Sequence, residues 1–315
     1  MESLNLPKKV FLKEVGPRDG LQIEKVFTPT NKKIIMCNLL SECGFDDMQF
    51  TAFVHPKAVP NMADSVEVSQ KIMRKPGMMY SALVPNKRGY INAAAAGIKK
   101  VEMTMSATES HSISNLNCNT SDSLRTIQEC LDLGLDIKLI VGLAVTFGCP
   151  FEGRPKFERI TSIVKELNAM EIREVGLCDT SGVADPRQVY DFSSRLIDSF
   201  PDITFYFHAH NTHGTGLANV LAAMQAGIIN FDTSIAGLGG CPYAPGASGN
   251  LATEDVAQTL KYMDIETGLD IDKLIEASKF AAETVGHHDS ATLRAGKMNH
   301  LVECGPVMQK NNRKN

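Results

Sequence analysis

Tryptophan is absent from this chain of 315 residues, and that absence carries no functional message; neither do the 14 Met, which in a core mostly fill gaps. Other absences exclude more. The eight cysteines, Cys37, Cys43, Cys118, Cys130, Cys149, Cys178, Cys241 and Cys304, form no C-x-x-C pair, so neither a zinc knuckle nor a disulfide framework is indicated and free thiols are expected. No apolar run approaches the ~20 residues of a membrane-spanning helix, and the start MESLNLPKKV lacks the apolar stretch of a secretory signal. A cytoplasmic protein without membrane contact is the expectation. With 32 basic against 36 acidic residues, a net charge of -4 and no Lys/Arg-rich run, nothing tracks a phosphate backbone, so nucleic acid is not an expected partner.

What is present is a large apolar fraction, 43%, and a regular alternation of short β-rich runs with longer segments of helical spacing. Strands are expected over 9–15, 47–53, 79–84, 100–105, 136–145, 174–180, 203–210 and 229–237, and segments such as TNKKIIMCNLLSECG and TSDSLRTIQECLDLG between them read as amphipathic helices. Eight such units predict a (β/α)8 TIM barrel, an α/β fold forming one domain over 1–315. The barrel would occupy about 9–262, with a helical C-terminal extension over about 265–303 and a polar tail. The competing open doubly wound sheet usually carries a Gly-rich phosphate turn after its first strand, whereas here that strand runs into GPRDG.

In a parallel barrel the chemistry gathers at the C-terminal ends of the strands, and polar residues accumulate there. His208 and His210 share one face of a strand by their i, i+2 spacing. Alone, such a pair serves equally as two satisfied core histidines; with carboxylates on neighbouring strand ends it suits a divalent cation such as Mg or Mn. Asp19 is the candidate carboxylate ligand, and Arg18 beside it offers a guanidinium where negative charge develops. Asp179 ends strand six and either steadies a histidine or caps the following turn. The stretch AGLGGCPYAPGASGN from 236 to 250, with five glycines and two prolines, reads as a hinged loop carrying Cys241 and Asn250. Cys241 there is a candidate acid or base rather than only a small buried hydrophobe.

Five segments, EVGPRDGLQ (14–22), FVHPKAVPNMAD (53–64), GLCDTSGVADP (176–186), FHAHNTHG (207–214) and AGLGGCPYAPGASGNLATED (236–255), together resemble the 3-hydroxy-3-methylglutaryl-CoA lyase family across nearly the whole chain. The resemblance implies a metal-dependent carbon–carbon lyase that takes a small CoA thioester and releases acetyl-CoA. It implies that Asp19, His208, His210 and Asn250 hold a divalent cation, that Arg18 stabilises the enolate, that Cys241 exchanges protons from a loop closing over substrate, and that Asp179 assists proton handling. The chain departs from the family where a glutamate is replaced by Gln49 and a small hydroxyl by Ala52, and again at His55 and Ala58. An amide cannot act as a base, so either the family glutamate is dispensable here, or Gln49 makes a neutral hydrogen bond to a different substrate, with a malyl- or citramalyl-type 3-hydroxyacyl-CoA as the alternative acyl group. A Claisen condensing enzyme of the isopropylmalate synthase type and a barrel that only binds CoA esters remain the competing readings. A homo-oligomer is compatible with the sequence, which does not specify the assembly.

Overall fold

Eight parallel strands pair in chain order: β1 Phe11–Glu14, β2 Asp47–Ala52, β3 Met79–Leu83, β4 Lys100–Ser106, β5 Lys138–Ala144, β6 Glu174–Asp179, β7 Thr204–Ala209 and β8 Asn230–Thr233. The sheet closes because β8 pairs with β1, in register from Phe11 opposite Asn230 to Glu14 opposite Thr233. This closure excludes the open sheet. A computed structural model of the chain describes residues 5–240 and 249–295.

The strands are buried along nearly their whole length, as parallel strands must be when helices cover one face and lumen side chains the other. Helices follow the strands in turn, several started by a side chain that accepts the otherwise unpaired N–H groups of the first turn, namely Asn86, Asn119 and Asp185. After Thr253–Tyr262 come Ile271–Val285, which packs on the helix Thr30–Ser41, and Ala291–Ala295. Asp255 holds this last helix by accepting from the N–H groups of Ala291 and Thr292 at 2.8 and 2.7 Å. Residues 296–303 of the anticipated extension lie outside the described residues. No helix among the described residues is long and apolar enough to cross a membrane.

One strand is shorter than its apolar pattern predicts. β8 stops at Thr233 rather than near 237, and Ile235–Gly237 forms a 3-10 turn in which Ala236 takes a positive φ of 58°. Two buried carboxylates enforce the change: Glu14 Oε1 accepts from the Ile235 N–H at 2.8 Å and Glu254 Oε2 from the Ala236 N–H at 3.1 Å. Glu14 also accepts from Gly16 N–H at 2.7 Å and contacts the Thr253 hydroxyl at 2.7 Å, so one side chain ties together the ends of β1 and β8 and the start of the next helix.

Burial pushes the Glu14 carboxyl up to about 8 against the donors around it, with the negative charge of Glu254 adding to the effect. An unfolded glutamate titrates near ~4.3, so between that pH and about 8 the folded chain keeps a proton that the unfolded chain has lost. Stability from this group is therefore complete below about pH 4 and declines as pH rises to 8, by at most ~1.4 kcal/mol per unit. Glu14→Gln should flatten the fall of the urea midpoint across pH 5 to 8, leaving the smaller share of Glu254, which burial pushes up to about 7. An unaltered pH profile in that variant would assign the titration elsewhere.

Candidate active site

The C-terminal ends of the strands surround a cavity of about 290 Å³ whose walls include Arg18, Asp19, Glu102, Thr104, Cys178, Thr180, His208, His210 and Gly240. A larger concavity of about 750 Å³, lined by residues such as Lys261, Glu266 and Asp270 near the C-terminal helices, contains none of these groups. Chemistry, not size, marks the site.

Its first wall is the turn Gly16–Gly20, which leaves β1 directly: the Val15 carbonyl accepts from both the Arg18 and Asp19 N–H groups, at 3.1 and 2.7 Å. Tight winding there holds Arg18 and Asp19 side by side at the barrel mouth. Arg18 Nη1 pairs with Asp19 Oδ1, and Arg18 Nε donates to Gln49 Oε1. The second wall is β7, where alternation points His208 and His210 the same way with ring centroids 5.2 Å apart. Asp232 lies beside His208 in the register of β7 and β8, and its Oδ2 meets His208 Nδ1 at 3.3 Å. That contact leaves Nε2 of His208 directed at the site, 3.2 Å from Nε2 of His210 and 3.9 Å from Asp19 Oδ2.

The third wall returns from the Gly-rich loop. Asn250 forms an antiparallel bridge with His210, and Leu251 N–H reaches the Ala209 carbonyl, so the segment after the loop is wedged beside the end of β7. Such close passage requires glycine at the loop base: a Cβ on Gly249 would stand 2.1 Å from the Gly239 carbonyl oxygen. Asn250 Nδ2 then donates to Asp19 Oδ2 at 2.7 Å and to the Leu238 carbonyl at 3.1 Å.

These residues fit a divalent cation. One donor atom each from Asp19, His208 and His210 lies within 4.8 Å of the others. Two imidazole Nε2 atoms face each other, a repulsive arrangement unless a proton or cation intervenes, and Asn250 Oδ1 is buried with no partner among the described residues. Burial would push the Asp19 carboxyl up, but the Arg18 guanidinium and then the two imidazoles hold it well below the usual carboxylate range. For His208 burial disfavours the charged ring, and the Asp232 contact and the charges of Asp19 and Asp232 overcome this and raise its pKa. His210 is pushed down to about 4 by burial and by His208. One imidazole is thus suited to serve as a neutral ligand, and the other would give up a proton to a bound cation.

Three anticipated residues stand apart. Asp179 points away from the cavity, between the lining residues Cys178 and Thr180, and accepts from the N–H groups of Val183 and Ala184 at 3.0 and 3.1 Å. It is the cap of its own turn; burial pushes its carboxyl up to about 6 against those donors. Gln49 is fully buried and absent from the cavity wall, its amide engaged by Arg18 on one side and by Glu102 on the other at 2.9 Å, which leaves no free end for a substrate. Cys241 lies outside the described residues, although its neighbour Gly240 lines the cavity. Conversely, Asp232, Lys13 and Glu102 were not anticipated. Their only sequence signal is charge inside otherwise apolar strands, as in FLKE and KVEMTM.

Residues 9–281 match the HMGL-like family model. A hydroxymethylglutaryl-CoA lyase of Bacillus subtilis is 44% identical over 282 residues, covering 89% of this chain and 94% of that protein. A crystal structure of the Bacillus subtilis HMG-CoA lyase superposes with a TM-score of 0.90 at 42% identity, covering 92% of this chain and 98% of that one. A structure of an HMG-CoA lyase from Acinetobacter baumannii in complex with coenzyme A and 3-methylmalate follows at TM-score 0.88 and 37% identity, with 92% and 96% coverage.

His208→Ala should abolish the rise in thermal midpoint that Mn2+ gives the parent chain while leaving the metal-free midpoint within a few degrees, since the ring serves the ion more than the core. Because His208 titrates above its ordinary value, protons compete with the ion, and titration calorimetry should show Mn2+ affinity falling by up to about tenfold per pH unit below that titration. Affinity independent of pH from 5 to 8 would remove His208 from the ligand set.

Proposed function

The chain belongs to the HMGL-like family and is a lyase, and from that premise we propose that it cleaves 3-hydroxy-3-methylglutaryl-CoA to acetyl-CoA and acetoacetate. The observation that carries this reading is the convergence of Arg18, Asp19, His208, His210 and Asn250 from three separate parts of the chain on one cavity. Asp19, His208, His210 and Asn250 would hold a divalent cation, Mg or Mn. When bound, the cation supplies Lewis acidity that favours loss of the proton from the substrate's C3 hydroxyl.

The rest falls to the chain's own groups. As the C3 oxygen becomes a ketone, the C2–C3 bond breaks and its electron pair passes to the thioester as an enolate. Arg18, fixed by Asp19 and Gln49, presents guanidinium N–H groups to that developing charge inside a buried mouth where water does not screen it. Protonation of the enolate carbon completes acetyl-CoA, and Cys241, next in sequence to the cavity-lining Gly240, is the proposed donor; the proton released from the C3 hydroxyl restores the thiol, so none is gained or lost over the cycle. Asp232 orients His208 and holds its Nδ1 proton, so that Nε2 faces the site. Asp179 keeps the 182–184 turn in place through its bonds to Val183 and Ala184.

A second reading, a 3-hydroxyacyl-CoA with a different acyl group, is favoured by the Acinetobacter neighbour that carries coenzyme A with 3-methylmalate. Acetyl-CoA release from 3-hydroxy-3-methylglutaryl-CoA, malyl-CoA and citramalyl-CoA, each with Mg2+ or Mn2+, separates the two. The fastest kcat/KM should belong to 3-hydroxy-3-methylglutaryl-CoA, and release from none of them would end the lyase assignment of the cavity. Cys241→Ser should bind the ester with KM little changed and lose about 10²-fold or more in kcat, because a hydroxyl is a far weaker acid than a thiol. Full turnover by that variant would return Cys241 to a packing role.

A further inference from the structure

Behind Arg18 runs a chain of side chains that the lyase reaction does not by itself demand. Gln49 on β2 accepts from Arg18 Nε and donates through Nε2 to Glu102 Oε2 on β4 at 2.9 Å; the same oxygen accepts from Lys13 Nζ on β1 at 2.9 Å. Gln49 is fully buried and the Glu102 side chain is 6% exposed, so water does not substitute for either contact. Space for the carboxylate is built in: Gly142 on β5 is the residue whose Cβ would stand 2.6 Å from Glu102 Oε1.

An amide is nearly symmetrical in shape, and turned by 180° Gln49 would set its NH2 against the Arg18 N–H, donor against donor. Glu102, a carboxylate paired with Lys13, only accepts. We propose that Glu102 is a positioning residue of this site: it locks the Gln49 amide with its carbonyl towards Arg18 and so sets the aim of the guanidinium. Lys13 pairs with Glu102 and also contacts Asp232 at 3.3 Å, which in turn orients His208, so both sides of the site hang on one lumen network. The inference rests on the proposed role of Arg18.

The test is a charge exchange between two positions. Gln49→Glu alone places two carboxylates in contact, and Glu102→Gln alone leaves two amides with no fixed orientation. The double variant Gln49→Glu/Glu102→Gln restores one acceptor facing Arg18 and one donor behind it. On 3-hydroxy-3-methylglutaryl-CoA with Mg2+, each single variant should lose about tenfold or more in kcat with KM within about threefold, and the double should recover to within about threefold of the parent. Losses that simply multiply in the double, or single variants with parental kcat, overturn the proposal. If the parent turns over none of the esters, the lyase reading has failed and not this one. The urea midpoints then decide: a double more stable than Gln49→Glu supports the lock, and additive destabilisation refutes it.

Discussion

The carboxylate of Asp19 lies half-buried between a guanidinium and two imidazoles, and an ion largely withdrawn from water persists there only if its oxygens are answered. Arg18 and Gln22 take one oxygen; Asn250 takes the other. Each partner arrives by a different route: Arg18 and Gln22 from the turn after β1, Asn250 from across the barrel seam, 231 positions away in sequence. The seam at β1 and β8 and the turn at 235–237 therefore must be placed accurately before the site exists. Two buried carboxyl groups, Glu14 and Glu254, do that placing by accepting the Ile235 and Ala236 N–H groups, which explains why they lie where an apolar side chain would bury at lower cost.

The lumen beneath follows the same logic. Lys13, Glu102, Asp232 and His208 lie on four different strands and contact one another, with the Tyr206 ring under the Lys13 ammonium. Buried ion pairs contribute little net stability, because desolvation offsets the attraction, but they fix directions. Here the directions are those of an imidazole and a guanidinium.

Much of this fold can be read in one dimension and much of its site cannot. The strands follow from local runs of apolar residues, and their observed bounds differ from the anticipated ones by a few residues, except where β8 is cut short by Glu14 and Glu254, residues distant from it in sequence. His208 and His210 announce themselves because their relation is local, an alternation along one strand. Glu102 and Gln49 are 53 positions apart, and Lys13 and Glu102 are 89 apart, so each appears in sequence as a lone polar residue. In sequence Gln49 therefore looks free for substrate, whereas its amide is already committed at both ends. Asp179 misleads for a related reason: a strand-end carboxylate can face the lumen or its own turn, and one residue of register decides which.

Charge gives the arrangement its last constraint. Arg18, Lys13 and a protonated His208 match Asp19, Glu102 and Asp232 one for one, so the buried cluster closes without net charge when His208 carries its proton. Were that proton exchanged for a divalent cation held by the proposed ligands, one positive charge would be left uncompensated at the cavity wall. An anionic thioester, or the enolate formed from it, supplies the missing negative charge, and in a poorly hydrated cavity that complementarity counts for more than it would in water. A carboxylate in place of the amide at Gln49, with Glu102 still present, would cancel the surplus before any substrate arrived. The neutral amide of Gln49 and the Lys13–Glu102 ion pair behind it are thus two parts of one charge balance.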